Sequence, residues 1–297
     1  MTSRVSKANS ISNVSALASL FSSKVIRQLS KGEEPKLFMD LVFESRLDHH
    51  WGNAKNVGDI FDIAFSLLCK RDLRHEYIYK AALFEKIVLG KNSLRTATAL
   101  SELRINDSKI DFAVLNGSAV GYEIKSERDN LSKLDKQLSD YRQFFPEVNV
   151  VVGENHLTKI EHKVHKDVGI IILNRRFQLS TVREATLNFD TLEVDGICSS
   201  LRLVEAKKIA ELNGLNILDV PTTQIHDEVF SKIKTLSAID LHNSLMTVLK
   251  ETRGLMDKTK HTNALPRSLK VIVSYLNLTK SEYSTLIQRL HVPILKL

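Results

Sequence analysis

Residues 109–126 read KIDFAVLNGSAVGYEIKS. Residues 109–115 have the apolar character of a strand, and Asn116-Gly117 is the strongest short hairpin signal a sequence can carry. The second half, AVGYEIKS, reads as the returning strand. On it, Glu123 and Lys125 stand two apart and share one face, while Ile124 points to the other. If the hairpin uses a three-residue loop, Leu115 pairs with Ala119 and Asp111 falls opposite Glu123. Two carboxylates and an ammonium then converge on one patch of a strand whose neighbours are Ile110, Phe112, Val114, Tyr122 and Ile124. Burying such a charged pair carries a penalty unless the charges are put to use.

Outward from the hairpin, ATALSELRI (97–105) reads as a strand before it. After the polar stretch Glu127–Asn130, Leu131, Leu134, Leu138, Tyr141 and Phe145 recur at helical intervals until Pro146. VNVVVG (148–153) and VGIIIL (168–173) are buried-type strands, separated by a short helix over His156–His165. Residues 35–89 carry helical spacing, including a helix over about 72–88. Residues 201–297 return to helical patterns broken at Gly214, Pro221 and around 263–266. Helix, three strands, helix, strand, helix, strand predicts an α/β class with a mixed sheet flanked by helices and with helical N-terminal and C-terminal extensions. The expected segments are a flexible start (1–34), a helical N-terminal segment (35–71), the α/β core (72–175) and a mainly helical C-terminal region (176–297).

The chain has 297 residues, 43% of them hydrophobic and 26% charged, which fits a folded protein of about two domains. Its apolar runs are strand-sized, far short of the ~18 residues of a membrane helix, so no membrane association is expected. The Ser-rich start lacks the apolar core of a secretory signal. Cys69 and Cys198 form neither a disulfide framework nor a zinc spacing, and a reducing, cytoplasmic setting is expected. The formal charge of +7 leans toward polyanionic partners. Its densest basic stretch is 250–270, where Lys258 and Lys260 are candidates to hold phosphates. Phosphate-loop, dinucleotide and nucleophile-elbow motifs are missing. Asp48-His49-His50-Trp51 reads as a loop, and His156, His162 and His165 as surface residues.

Paired carboxylates repel each other unless a divalent cation neutralises them, and hard oxygen ligands suit Mg²⁺ or Mn²⁺ rather than zinc. The Ile124 carbonyl could add an oxygen to Asp111 and Glu123. In these residues the sequence resembles the PD-(D/E)XK nuclease superfamily over about 72–175: Asp111 in KIDFAVLNG, Glu123-Ile124-Lys125 in GYEIKS, and Gln137 with Tyr141 on the following helix. The Gln-to-Tyr spacing is similar to that in bacterial recombination exonucleases, and the combined pattern to a little-characterised bacterial branch of the superfamily. Ile110 stands where Pro is frequent. The resemblance implies a restriction-endonuclease-like fold and Mg²⁺- or Mn²⁺-dependent hydrolysis of phosphodiesters, DNA being the expected substrate. Asp111 and Glu123 would bind the metal, and Lys125 would assist the attacking water. Gln137 and Tyr141 would contact the backbone or brace Lys125. A further acid is usual, and Glu76, Glu102 and Glu85 compete for that place, in that order. A double-strand cut would favour a homodimer, and the helical regions offer surfaces to a partner protein. Roles in restriction, phage defence, repair or mobile elements are all compatible with such a fold. The alternatives are an inactive nucleic-acid- or partner-binding module on the same fold, and a regulator whose helices in 225–292 bind DNA, with LTKSEYSTLIQRL (278–290) as a capped helix.

Overall fold

A computed structural model describes residues 13–50, 52, 54–91, 97–253, 264–276 and 278–294. The described residues fall into two compact units, one within 82–256 and the other within 1–81 and 257–297. Neither boundary is at 71 or 175, and the C-terminal region expected as one piece is divided between the units. Trp51, Lys258 and Lys260 lie outside the described residues.

The unit within 82–256 is built on a six-stranded sheet of order β1-β2-β3-β4-β5-β6, with β1 (Thr98–Ile105), β2 (Ser108–Asn116), β3 (Ser118–Lys125), β4 (Glu147–Gly153), β5 (Gly169–Leu173) and β6 (Leu179–Arg183). β1, β2 and β3 form an antiparallel meander, β3, β4 and β5 run parallel, and β6 returns antiparallel. Parallel neighbours need crossovers, and α6 (Leu134–Arg142) and α7 (Leu157–Lys163) supply them. The mixed α/β architecture is thus the expected one, with one strand more. β6 reads LSTVR, and only Leu179 in it is buried, so it carries no apolar alternation by which a sequence could announce it.

Leu138, Tyr141, Phe144 and Phe145 cover one face of the sheet and share a continuous core with α8 (Val194–Cys198), α9 (Leu203–Leu212), α10 (Ile225–Ile233) and α11 (Ala238–Arg253), through Ile197, Ile209, Ile233 and Leu245 among others. On the opposite face, Phe112 and Tyr122 meet with ring centroids 6.3 Å apart. α9 and α11 are joined by a buried ion pair. Arg253 donates to both oxygens of Glu205 (2.6 and 2.5 Å) and to the Ser200 carbonyl (3.2 Å). Burial alone would raise the Glu205 carboxyl, but the hydrogen bonds from Arg253 and from the Arg202 backbone outweigh it and hold the group below its usual range. Arg253, counted in the basic 250–270 stretch, is therefore committed to a carboxylate.

In the other unit, α1 (Val14–Ser19) and α2 (Ser23–Ser30) occupy the start expected to be flexible. Both are capped: Asn13 accepts from Ala16 N (3.0 Å) and Ser22 from Val25 N (3.4 Å). α3 (Lys36–Ser45) and α4 (Val57–Leu68) follow, α4 opening with a reciprocal Asn56–Asp59 capping box. α5 (Glu76–Leu83) then carries the chain into the other unit. Phe21 stacks on Tyr77 at 4.5 Å, and Phe38 and Phe61 complete the aromatic core. The chain's end returns here. Tyr77 donates to the Ser268 carbonyl (2.5 Å), and helix Lys280–Leu290, whose cap the sequence leaves open between Thr279 and Ser281, is capped by Thr279 and sends Arg289 to the Gly32 carbonyl (2.6 Å). No helix among the described residues is long and apolar enough to cross a membrane.

Two stability predictions follow from this packing. Arg253→Ala leaves Glu205 buried without its counter-ion and is expected to lower unfolding free energy by about 3 kcal/mol in urea titrations, the loss typical of half a buried pair. His242 on α11 is buried edge-on to Phe189, with neither ring nitrogen hydrogen-bonded among the described residues, and burial pushes it down to about 4. Because its folded value is depressed, its contribution is complete above the unfolded value near 6.5 and is lost as pH falls from there toward 4, about 3 kcal/mol in all. His242→Leu should flatten that part of the stability-against-pH curve.

Candidate active site

The hairpin register is the one the Asn116-Gly117 signal implies. Leu115 pairs with Ala119 and Asn116 with Ser118, and Gly117 alone spans the tip at φ 73°, a conformation open to glycine. The β2–β3 ladder continues to Phe112–Tyr122 and stops. One step further the register sets Asp111 opposite Glu123. There the backbone pairing gives way to a side chain: Asp111 Oδ2 accepts the Ile124 amide at 2.7 Å.

The same level is bent in β1. Glu102 sits at φ 58°, in the left-handed region, while Ser101–Phe112 and Leu103–Ile110 pair on either side. As a result Leu100 and Leu103, three apart, both enter the core of the α6 face, as do Ile110 and Ala113 on β2. A flat strand would send one of each pair to the opposite side. The bend is what turns Asp111 toward β3.

Glu123 and Lys125 are both buried, and Lys125 Nζ donates to Glu123 Oε1 (2.6 Å) and to Gln137 Oε1 (3.0 Å). Gln137 lies one turn from Tyr141 on α6, its Nε2 3.5 Å from the phenol oxygen, and Tyr141 donates to the Lys109 carbonyl at 2.9 Å. Burial, reinforced by the charges of Glu123 and Asp111, pushes the Tyr141 phenol far up, so it stays a donor at any working pH. Five residues expected from sequence, Asp111, Glu123, Lys125, Gln137 and Tyr141, are therefore brought together, with the Ile124 backbone between them. Gly121 allows this closeness: a Cβ there would lie 2.6 Å from Ile110 and 2.8 Å from the Phe145 ring, which together press α6 onto β3.

A family model described as Bacteriophage P4 protein cII matches residues 69–273, more than half of the chain and the whole of this network. The chain belongs to the phage P4 cII family. A relative is Protein cII of Enterobacteria phage P4, 30% identical over 132 residues, which are 44% of this chain and 47% of that protein. The chain thus spans about half the length of the curated relative it matches. Among solved structures, a protein of unknown function from Silicibacter pomeroyi aligns over 42% of this chain and 86% of its own, at 15% identity and a TM-score of 0.28.

In this member of the cII family, the three candidates for a further acid each have surroundings of their own. Glu76 belongs to the other unit, where it pairs with Lys80 at 2.5 Å. Glu102 pairs with Lys109 and is exposed. Glu85 lines a cleft with Phe177 and Leu179. Among the described residues, no group of three or more His, Cys, Asp or Glu is placed to hold a metal ion. The structure also brings in residues the sequence did not single out. Asp140, buried on α6, accepts from Ser108 of β2 and from Lys136 (3.2 Å), which fixes the helix carrying Gln137 and Tyr141 against the hairpin. Asp129 closes the chain after Lys125 by accepting from Ser126 N and Oγ (2.7 and 2.6 Å), and His156, read from the sequence as a surface residue, is half-buried and reaches the Ser126 carbonyl at 3.0 Å. An acid beside the apolar positions Leu138 and Tyr141 was the available signal for Asp140.

The Asp111–Ile124 bond gives a direct test of this geometry. Asp111→Ala should remove the protection of the Ile124 amide against hydrogen exchange, whereas Asp111→Asn, which keeps an acceptor oxygen, should retain most of it. Equal protection in both variants would contradict the bond.

Proposed function

We propose that the sheet-bearing unit is a metal-dependent phosphodiesterase of the PD-(D/E)XK kind, with DNA as substrate. What supports it is the convergence of Asp111, Glu123 and Lys125 from two strands with Gln137 and Tyr141 from the helix behind them. A strand meander joined to a parallel strand through α6 is compatible with a restriction-endonuclease-like core.

The donor set fits a hard divalent cation: two carboxylates and the Ile124 carbonyl, all oxygen. With only two acids at the site, the remaining positions would fall to water and phosphate oxygens, as suits Mg²⁺, which gives up its waters reluctantly. A bound Mg²⁺ or Mn²⁺ would supply Lewis acidity at the phosphoryl group and a more acidic water. The chain's own groups do the rest. Asp111 and Glu123 hold negative charge at fixed positions, since Asp111 is tied to the β3 backbone. Lys125 is aimed by Gln137, so its ammonium meets the charge growing on the phosphoryl oxygens without first reorganising. Tyr141, kept protonated, anchors α6 to the Lys109 backbone.

Asp111→Asn, Glu123→Gln and Lys125→Ala are each expected to lower cleavage of linear or single-stranded DNA at least a hundredfold while the chain still folds, Lys125→Ala with a lowered melting temperature because it leaves Glu123 buried without its counter-ion, and EDTA should abolish cleavage by the wild type. Gln137→Ala should act more weakly, about tenfold, because it releases Lys125 without removing it. If wild type and Lys125→Ala are equally inert on DNA and RNA with Mg²⁺ and Mn²⁺, hydrolysis is excluded and the site belongs to a nucleic-acid- or partner-binding module.

A further inference from the structure

In the unit formed by the chain's two ends, a cleft of about 440 Å³ opens between α2 and the start of α3. Lys24, Arg27 and Lys31 line one wall at helical intervals, and Lys36 lines the other. Against these four cations stand two carboxylates of the lining, Glu33 and Asp40. Of the cations, Lys31 alone forms a salt bridge among the described residues, a 4.0 Å exposed contact with Glu33. Glu282 also lies within the field of Arg27 and Lys31, but its carboxylate is committed to capping, accepting the Thr279 amide at 2.7 Å. The cleft keeps a surplus of positive charge in a concave place, where an anion is held from more than one side.

A second observation narrows the ligand. Gln28 lines the same cleft, and its Oε1 is shielded from solvent with no hydrogen-bond partner among the described residues. A buried acceptor left unmade is unfavourable, so a ligand that carries a donor beside its anionic group would relieve it once the amide turns into the cleft. Inorganic phosphate carries its one hydroxyl on the same phosphorus that the cations would hold, with no donor set apart from it. A nucleotide has both: a phosphate ester for the cations, and a sugar hydroxyl or base amino group for the amide. The volume also suits a unit of that size.

We infer that the α2–α3 cleft is a phosphate-ester site that takes a nucleotide unit of a nucleic-acid strand, with Lys24, Arg27, Lys31 and Lys36 holding the phosphate and Gln28 accepting from the sugar or base. This site is separate from the hydrolytic proposal and stands without it.

The test is binding of labelled single-stranded and duplex oligonucleotides to the full chain, in EDTA so that no cleavage intervenes, across a salt series. Lys24→Gln/Arg27→Gln is compared with Lys166→Gln/Lys280→Gln, which removes the same charge from exposed positions outside the cleft. The cleft variant should bind about tenfold more weakly and reduce the slope of log affinity against log salt by about 1.5, the equivalent of two phosphate contacts. The matched variant should leave the slope unchanged. Gln28→Leu should weaken binding without altering the slope, because it removes an acceptor and no charge. If free AMP binds saturably and the cleft variant loses that binding while strand binding is untouched, the phosphate-ester site stands and its source is a small nucleotide. Equal effects of the cleft and matched variants, or no binding of strand or nucleotide by the wild type, would overturn the inference. Loss of the hydrolytic proposal would appear instead as indifference of cleavage to Lys125→Ala, with cleft binding intact.

Discussion

Two opposite charges buried two residues apart on an interior strand set the terms for everything around them. Glu123 and Lys125 cannot be turned outward without turning Gly121 with them, because the three share a face, and cannot be left dry without partners. Their mutual bond at 2.6 Å uses one oxygen and one ammonium hydrogen. The rest of the ammonium's needs must be met by a helix close enough to reach a strand. Gln137 accepts one of the two remaining hydrogens, and the helix comes close enough because residue 121 has no side chain and Phe145 lies across it. Asp140, tied to Ser108, then fixes the helix to the strand next door. A substitution at Gly121 would thus disturb the Lys125 environment without touching any charged group.

The bend at Glu102 and Asp111 answers a second requirement. A carboxylate on β2 that faced squarely across to Glu123 would be a repulsive neighbour in a dry place. In the bent meander, Asp111 instead accepts a backbone hydrogen bond from β3, which pairs an amide that the interrupted ladder would otherwise leave unmade. The left-handed Glu102 is unfavourable by of order 1 kcal/mol for a residue with a Cβ. Its place beside the candidate site, where two strands change the face of their side chains together, accounts for why the surrounding structure holds it.

Much of this was legible in the sequence because its causes are local. Asn116-Gly117 fixes the loop length, the loop fixes the register, and a period of two then puts Glu123 and Lys125 on one face. The spacing of Leu134, Leu138 and Tyr141 likewise sets which side of α6 meets the sheet, and so where Gln137 points. What was not legible has non-local causes. Glutamate at residue 102 gives no turn signal, since its conformation is imposed by the strands beside it. β6 pairs through backbone atoms with almost no buried side chains. α1 and α2 were hidden by their serines, although Val25, Ile26 and Leu29 are fully buried. The cations of the α2–α3 cleft, interleaved with those apolar residues, never form a charge run.

The extent of the sheet-bearing unit follows from the same kind of argument. The residues with candidate chemistry occupy little more than a third of the chain, and a boundary after β5 looks natural when only the motif is followed. The core says otherwise. Val148, Val150 and Val152 of β4 and Leu115 of β2 belong to the same apolar cluster as Ile209, Ile233, Leu245 and Leu249 from α9, α10 and α11. A fragment ending near residue 175 would expose that face to water at about 25 cal/mol for each Å² of apolar surface uncovered. The four helices after β6 are therefore part of what keeps Glu123 and Lys125 buried, and the Glu205–Arg253 pair, which locks the last of them to α9, acts on the candidate site from a distance through that shared core.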